Sequence, residues 1–300
     1  MNNFFEITAL NQDLLIYLVI DISIAIVLLG AMRFISGLSA KVNSTQELAQ
    51  KDNFAFGISV AGSVAALGIV LTGAISGENA PSYWMEFVGM FAYGTLGLIL
   101  IKIGRVIHDK LSLQRLNKTQ EILNENLTVG IVDAAGAIAT AIIIRAVLLW
   151  VHGLNVDTFI AIIAGFIISQ AILLLVTRLK ERQYAKNNQG DCLQEAFTRG
   201  QTAIAIRYAG QLISTALAVT AASHFLTYSP ETLFYNLISW FVFAVVVTLL
   251  VAILTAIAKR IVLWGINLVE EVDQQQNIGV ACVEMATSIS IALILTALMA

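Results

Sequence analysis

One motif restricts the fold of this chain more than any other feature. It is an apolar helix that begins at a polar cap and carries a charge seven residues in. It starts at Asn126, places Asp133 before Ala134-Ala135-Gly136, and runs on apolar to Arg145 and Trp150. It returns at Gly200, with Arg207 before Tyr208-Ala209-Gly210, and at Asn277, with Glu284 before Met285-Ala286-Thr287. An uncharged version starts at Asn53, with Val60 before Ala61-Gly62. Read this way, the four copies align through the charged position without a gap. A period near 75 residues marks a repeat architecture rather than a chain of unrelated domains.

Composition says what the repeat is made for. Hydrophobic residues form 58% of the chain, charged residues 12%, and mean hydropathy is +0.82. A soluble domain carries about 25% charge, so the chain is expected in a membrane. Eight apolar segments read as spans at roughly 14–35, 54–76, 84–107, 127–151, 157–177, 201–226, 233–257 and 277–299. Each approaches the ~20 helical residues that cross hydrocarbon. Their length and continuity exclude barrel strands. The first dozen residues lack Lys and Arg, and no small-residue cleavage site follows, so a removable signal peptide is not expected.

Cations orient the spans. Of 17 Lys and Arg, all but Arg145 and Arg207 fall in the first, third, fifth and seventh connections, and none in 77–83, 152–156 or 227–232. By the positive-inside rule the basic connections are cytoplasmic and both termini lie outside. The short outer connections hold Gly77, Pro81, Gly153 and Ser229-Pro230 as turn formers, and Tyr83, Trp84, Trp150, Tyr228 and Tyr235 read as an interfacial belt. Leu111, Leu113, Leu116, Ile122 and Leu123 recur among polar residues in one basic connection. There the helices either continue past the bilayer, lie at its surface, or form a binding element. The expected fold is all-α, a polytopic membrane protein of eight transmembrane helices in four parallel hairpin repeats. Their boundaries are 1–80, 81–153, 154–230 and 231–300.

Candidate functional residues follow from the cost of charge in lipid, at least ~2.5–3.5 kcal/mol per residue. Asp133, Arg207 and Glu284 each lie seven residues from a cap and are expected at one depth, as an inner charge layer of net −1. Asp21 and Arg145 are expected as a second, outer layer. Either layer clamps neighbouring repeats or lines a polar path; for the inner one Glu284 or Asp133 is then the titrating group. Thr72, Gln170 and Gln211 are mid-span polar groups that bond across helices or line a pore. Gly57, Gly62 and Gly68, with Gly89, Gly94, Gly97, Gly130 and Gly136, give narrow faces for close helix approach. His108, His152 and His224 are far apart in depth, and Cys192 and Cys282 form no pattern, so neither metal nor disulfide is expected. No enzyme motif is present, and no cofactor or nucleic-acid partner is expected.

Asn53-Phe54-Ala55-Phe56-Gly57, followed by Ala61-Gly62, Gly68 and Thr72-Gly73-Ala74-Ile75, resembles the bacterial membrane proteins called domain of unknown function 350. The Asn126 copy keeps the Asn, Gly130 and Gly136. The Asn277 copy keeps the Asn and Ala281, and the Gly200 copy lacks the Asn. The resemblance implies paired helical hairpins in the bacterial cytoplasmic (inner) membrane and brings no activity, substrate or cofactor. It also implies a link to an ATP-grasp amine-ligase system, since some relatives are encoded near ligases that resemble glutathionylspermidine synthase. Partners are expected to be membrane lipids and a second copy or a membrane-complex partner. The expected role is a scaffold or partner in such a complex. The alternative is a channel or transporter for a small cation that uses the Asp133, Arg207 and Glu284 layer.

Overall fold

The computed structural model describes residues 12–75, 82–151, 154–226 and 229–300. Gly77, Pro81, His152, Gly153 and Tyr228 lie outside the described residues. Ten α-helices are present among those described: α1 (Gln12–Ala40), α2 (Phe54–Ile75), α3 (Tyr83–Ile107), α4 (Lys118–Leu123), α5 (Leu127–Trp150), α6 (Val156–Asn187), α7 (Leu193–Thr198), α8 (Thr202–Ser223), α9 (Leu233–Val262) and α10 (Ile278–Met299). All but α4 and α7 are long and apolar enough to cross a membrane. Helix is the state that satisfies each backbone amide within its own segment when no water is at hand.

The eight long helices pack as paired hairpins in two rows. In one row α2 packs on α5, α5 on α8, and α8 on α10. The partners α1, α3, α6 and α9 flank that row, and α1–α3 and α6–α9 also touch. The helices α5 and α8 are the most enclosed, whereas α1, α9 and α10 bury little of their surface.

Each helix of the first row starts on one local design. A residue with positive φ precedes the cap: Asp52 (49°), Glu125 (64°), Gly200 (76°) and Gln276 (56°). The caps of α2, α5 and α10 are then Asn53, Asn126 and Asn277, whose Oδ1 accepts from Phe56, Val129 and Val280 N–H. Such a bond satisfies an amide that the first helical turn leaves unpaired. A glutamate in the preceding connection holds each cap amide: Glu47 on Asn53 at 3.3 Å, Glu121 on Asn126 at 3.0 Å and Glu271 on Asn277 at 2.8 Å. In the third copy Gln201, not Gly200, occupies the cap position, and Gly200 takes the left-handed turn that glycine adopts without steric cost. The copies therefore begin at residues 53, 126, 201 and 277, and Arg207 stands six residues after its cap, not seven.

The basic connections hold helical extensions, tight turns and short helices. Helix α6 runs to Asn187 and α9 to Val262, π-helical turns close at Gln46–Gln50, His108–Ser112 and Val269–Gln274, and α4 and α7 are separate short helices. Of the aromatic belt, Tyr83, Trp84 and Tyr235 are exposed. Trp150 is buried: its indole lies 5.7 Å from that of Trp240 and donates to Leu226 O at 2.9 Å. A lipid-facing tryptophan has no such partners.

Candidate functional site

Neighbouring helices of the first row meet at matching positions. A Cβ on Gly62, nine residues after its cap, would lie 2.5 Å from the Cα of Ala134, eight after its own. A Cβ on Gly210, also nine after its cap, would lie 2.8 Å from the Cα of Met285, again eight after. Hydrogen at those two positions lets the backbones approach, which is how helices associate where lipid supplies no hydrophobic drive.

This register places the charges. The residue six after one cap meets the acid seven after the next. Ser59 donates to Asp133 from α2 to α5, and Arg207 Nε donates to Glu284 Oε2 at 2.6 Å from α8 to α10. Two separate buried nodes result. In the first, Asp133 takes Arg105 Nη2 at 2.6 Å and Nε at 3.2 Å, and also Lys118 Nζ. Arg105 reaches Ser63 at 2.8 Å, and Lys118 also pairs with Asp109. In the second, Glu284 takes Arg207 and, at 2.9 Å, Lys259 Nζ. Arg207 also pairs with Asp273 and donates to Leu268 O at 2.7 Å. Each node has two acids and two cations, so neither carries the excess negative charge expected of a three-residue layer.

Arg207 and Glu284 are thus brought together, while Asp133 has other partners. The physical reason is the shifted cap: one residue turns a side chain by about 100° around the helix, so Arg207 faces the acid of the following repeat. The outer pair is not formed either. Asp21 lies beside Glu86 of α3 and its Oδ1 has no hydrogen-bond partner, whereas Arg145 Nε donates to Thr72 Oγ1 at 2.9 Å. Gln170 Nε2 reaches Thr140 at 3.4 Å. Thus Thr72 and Gln170 each bond across helices.

Two equivalent nodes in two halves agree with the comparisons. The family profile described as Domain of Unknown Function (DUF350) matches residues 9–148 and again 153–299. The chain belongs to the DUF350 family. Each family unit spans two hairpins and holds one node. A UPF0719 transmembrane protein of Aquifex aeolicus (strain VF5) is similar at 27% identity over 133 residues, 44% of this chain and 49% of that protein. The match thus spans about half the length of that curated relative. A bacterial membrane location follows from this likeness together with the eight apolar helices. No solved structure matches the chain.

The DUF350 halves differ in what surrounds their nodes. A cavity of about 680 Å³ lies against the second, between α6, α8, α9 and the loop before α10. Its lining includes Lys180, Gln211, Lys259, Arg260, Arg207, Asp273 and Glu284. Buried hydroxyls of Thr248 and Thr255 on its α9 wall have no hydrogen-bond partner. Beside α8, His108 Nε2 and Tyr208 OH are 3.0 Å apart, and Thr177 Oγ1 is 3.0 Å from the same hydroxyl. Among the described residues no His, Cys, Asp and Glu cluster suits a metal ion.

Arg105, Lys118, Asp109, Lys259 and Asp273 were not among the residues expected to act. Arg105 carried a signal, because it lies inside the 84–107 apolar segment yet counts as connection charge. Its guanidinium turns inward to buried Asp133 instead of outward to water, against the usual behaviour of long basic side chains at span ends. Lys118 at the start of α4 and Asp273 in the turn Val269–Gln274 reach the nodes from the connections, and local sequence does not encode that return.

Proposed function

We propose that this DUF350 protein is an ion-interacting transport protein of the bacterial cytoplasmic membrane, with the second charge node as its working element. One observation carries the reading: the walls of a single cavity include Glu284, both of its cations and two further basic groups. A buried ion network is stable only while every charge is matched. A charged solute in that cavity competes for the same partners and so changes the network.

The lining has four basic residues (Lys180, Arg207, Lys259 and Arg260) against two acids (Asp273 and Glu284). That balance disfavours a metal cation. The small cation that fits is the proton, taken by Glu284 when a small anion draws Lys259 away from it. Lys180 and Arg260 supply the attraction for the anion. Asp133 has no part in the cycle and holds the first half together. The role is non-catalytic.

The proposed topology has the four hairpins, 1–80, 81–153, 154–230 and 231–300, entering in one sense with both termini outside. The fifteen-to-none distribution of cations between alternate connections supports it. The cavity then opens toward the cytoplasm.

The test is flux in reconstituted vesicles containing a pH dye, with gradients of small organic and inorganic anions. Proton movement linked to one anion is expected, with at least tenfold loss in Glu284→Gln and weaker anion dependence in Lys180→Gln, both folded. A wild-type protein that moves neither protons nor anions, or a folded Glu284→Gln variant with full flux, overturns the reading. The close approach of helices at Gly62 and Gly210 then favours a scaffold in a membrane complex.

A further inference from the structure

The row α2–α5–α8–α10 ends at two faces of the kind it uses internally. Positions two, six, nine and twenty after the cap form the forward face of α2: Ala55 meets Gly130, Ser59 meets Asp133, Gly62 meets Ala134, and Gly73 meets Arg145. The same positions on α10 are Gly279, Val283, Ala286 and Ala297, and all four are exposed. The receiving face, at positions four, seven, eight and nineteen, is Gly130, Asp133, Ala134 and Arg145 on α5. On α2 it is Gly57, Val60, Ala61 and Thr72: Ala61 and Thr72 are exposed, the latter while accepting from Arg145 of α5, Gly57 is partly buried and Val60 is buried.

We infer that α10 of one copy docks on α2 of a second copy, so that the chain associates head to tail and continues its own row. The register of the internal contacts fixes the new pairs: Gly279 with Gly57, Val283 with Val60, Ala286 with Ala61, and Ala297 with Thr72. Every pair is small or apolar. Neither set of four residues contains an acid or a cation of its own, so docking adds no unmatched charge where the copies meet. Small facing residues give the close backbone approach on which association in lipid depends.

An independent observation points the same way. Asn53 Nδ2 donates to Ile122 O in the next repeat at 3.1 Å, and Asn126 Nδ2 donates to Phe197 O and Thr198 O, each at 3.1 Å. Among the described residues, Asn277 Nδ2 bonds only Glu271 of its own loop. The cap of α10 thus keeps its glutamate clamp, while among the described residues its amide engages no loop of the kind that both earlier asparagines engage. Residues 46–50 of a following copy stand where that loop belongs. Because the two faces differ, the contact is heterologous and generates rings or open arrays.

Disulfide trapping in native membranes tests this, in a full chain carrying Cys192→Ser and Cys282→Ser. A chain with Ala61→Cys and Ala286→Cys should give a ladder of dimers and larger species on oxidation. Two separately tagged chains, one bearing each cysteine, should give only the mixed dimer. Thr128→Cys with Thr202→Cys, whose hydroxyls are 3.0 Å apart, should close within one chain and shows that the membrane-permeant oxidant is active. Ala286→Leu, on an exposed face, should leave the monomer folded and reduce the oligomeric fraction in nanodiscs at least tenfold. Dimers from Ala286→Cys alone indicate a back-to-back contact and overturn the inference. So does an Ala61–Ala286 disulfide within one chain, or no trapping while the Thr128–Thr202 control closes, which leaves lipid on both faces.

Discussion

Replacing Arg207 by Met should separate the two charge nodes energetically. The guanidinium makes three contacts at once: Glu284 at 2.6 Å, Asp273, and Leu268 O at 2.7 Å. The acid side chains are nearly shut off, 6% exposed for Glu284 and 1% for Asp273. Lys259 then remains as the only cation paired to Glu284. Breaking one partner of a buried pair costs about 3–5 kcal/mol, roughly two to three and a half orders of magnitude in the folding equilibrium at 1.4 kcal/mol per decade. Adding Glu284→Met removes one of the stranded acids, so the double variant should recover part of the loss. The expected coupling is about 0.5–3 kcal/mol, the range for residues in one network.

Arg207 and Asp133 should behave differently. Asp133 is held by Arg105, Lys118 and Ser59, so Arg207→Met and Asp133→Asn should add within about 0.3–0.5 kcal/mol. The assay is a double-mutant cycle on equilibrium unfolding in mixed micelles, with size-exclusion profiles confirming that each variant starts folded. Coupling of Arg207 to Asp133 as strong as its coupling to Glu284 would refute the two-node arrangement and restore a single layer.

Three further outcomes follow. Gly62→Leu and Gly210→Leu force a side chain against a neighbouring backbone and should each cost at least about 1–3 kcal/mol, while Gly68→Ala, with open space around it, should stay within about 0.5 kcal/mol; thermal retention of the folded peak ranks them. In intact cells, after Cys192 and Cys282 are replaced, an impermeant thiol reagent should reach cysteines at positions 79 and 155 but not at 117 or 186, and the opposite pattern would reverse the proposed topology. In the 188–200 loop burial alone raises the Asp191 carboxyl, but hydrogen bonds from Arg199 at 2.5 Å and the Cys192 N–H at 2.9 Å outweigh it and hold the group below its ordinary value; this stability is present above the unfolded value and lost as pH falls through the lower folded one, so hydrogen exchange of the loop should speed up in acid by no more than about 1 kcal/mol, and Asp191→Asn should abolish that dependence.

The eight helices were legible because lipid demands long, uniformly apolar segments with every amide paired internally, and that demand is written into consecutive residues. Local chemistry also revealed the caps at Asn53, Asn126 and Asn277. The third cap was not legible. Gly200 aligned with the asparagines without a gap, and only its φ of 76° identifies it as the turn residue before Gln201. That displacement was enough to misplace Arg207 around its helix. Asp21 and Arg145 matched in depth along their own helices, but depth fixes one coordinate. Azimuth and neighbour decide contact, and there Asp21 meets Glu86 and Arg145 meets Thr72. Gln211 was legible as a polar residue at mid-span but not as part of a cavity wall, because residues of α6, α8, α9, α10 and the connection before α10 line that cavity together.

The two nodes show how a duplicated unit can divide its duties. Both halves place an acid seven residues after a cap and meet it with a polar side chain from the preceding repeat. In the first half that side chain is Ser59, a small neutral group, and the cations come from Arg105 and Lys118. Arg105 bridges to Ser59 and Ser63 on α2 as well, so the first node ties three long helices together at one point. In the second half Arg207 replaces the serine and brings its own charge from α8, and the second acid, Asp273, comes from the loop before α10. Asp273 lies in the π-helical turn Val269–Gln274, as Asp109 of the first node lies in His108–Ser112. Asp133 sits in α5, one of the two most enclosed helices of the chain. Glu284 sits in α10, which buries only a narrow stripe. Rigidity thus concentrates around the first node, while the node with a cavity beside it borders the more open end of the row.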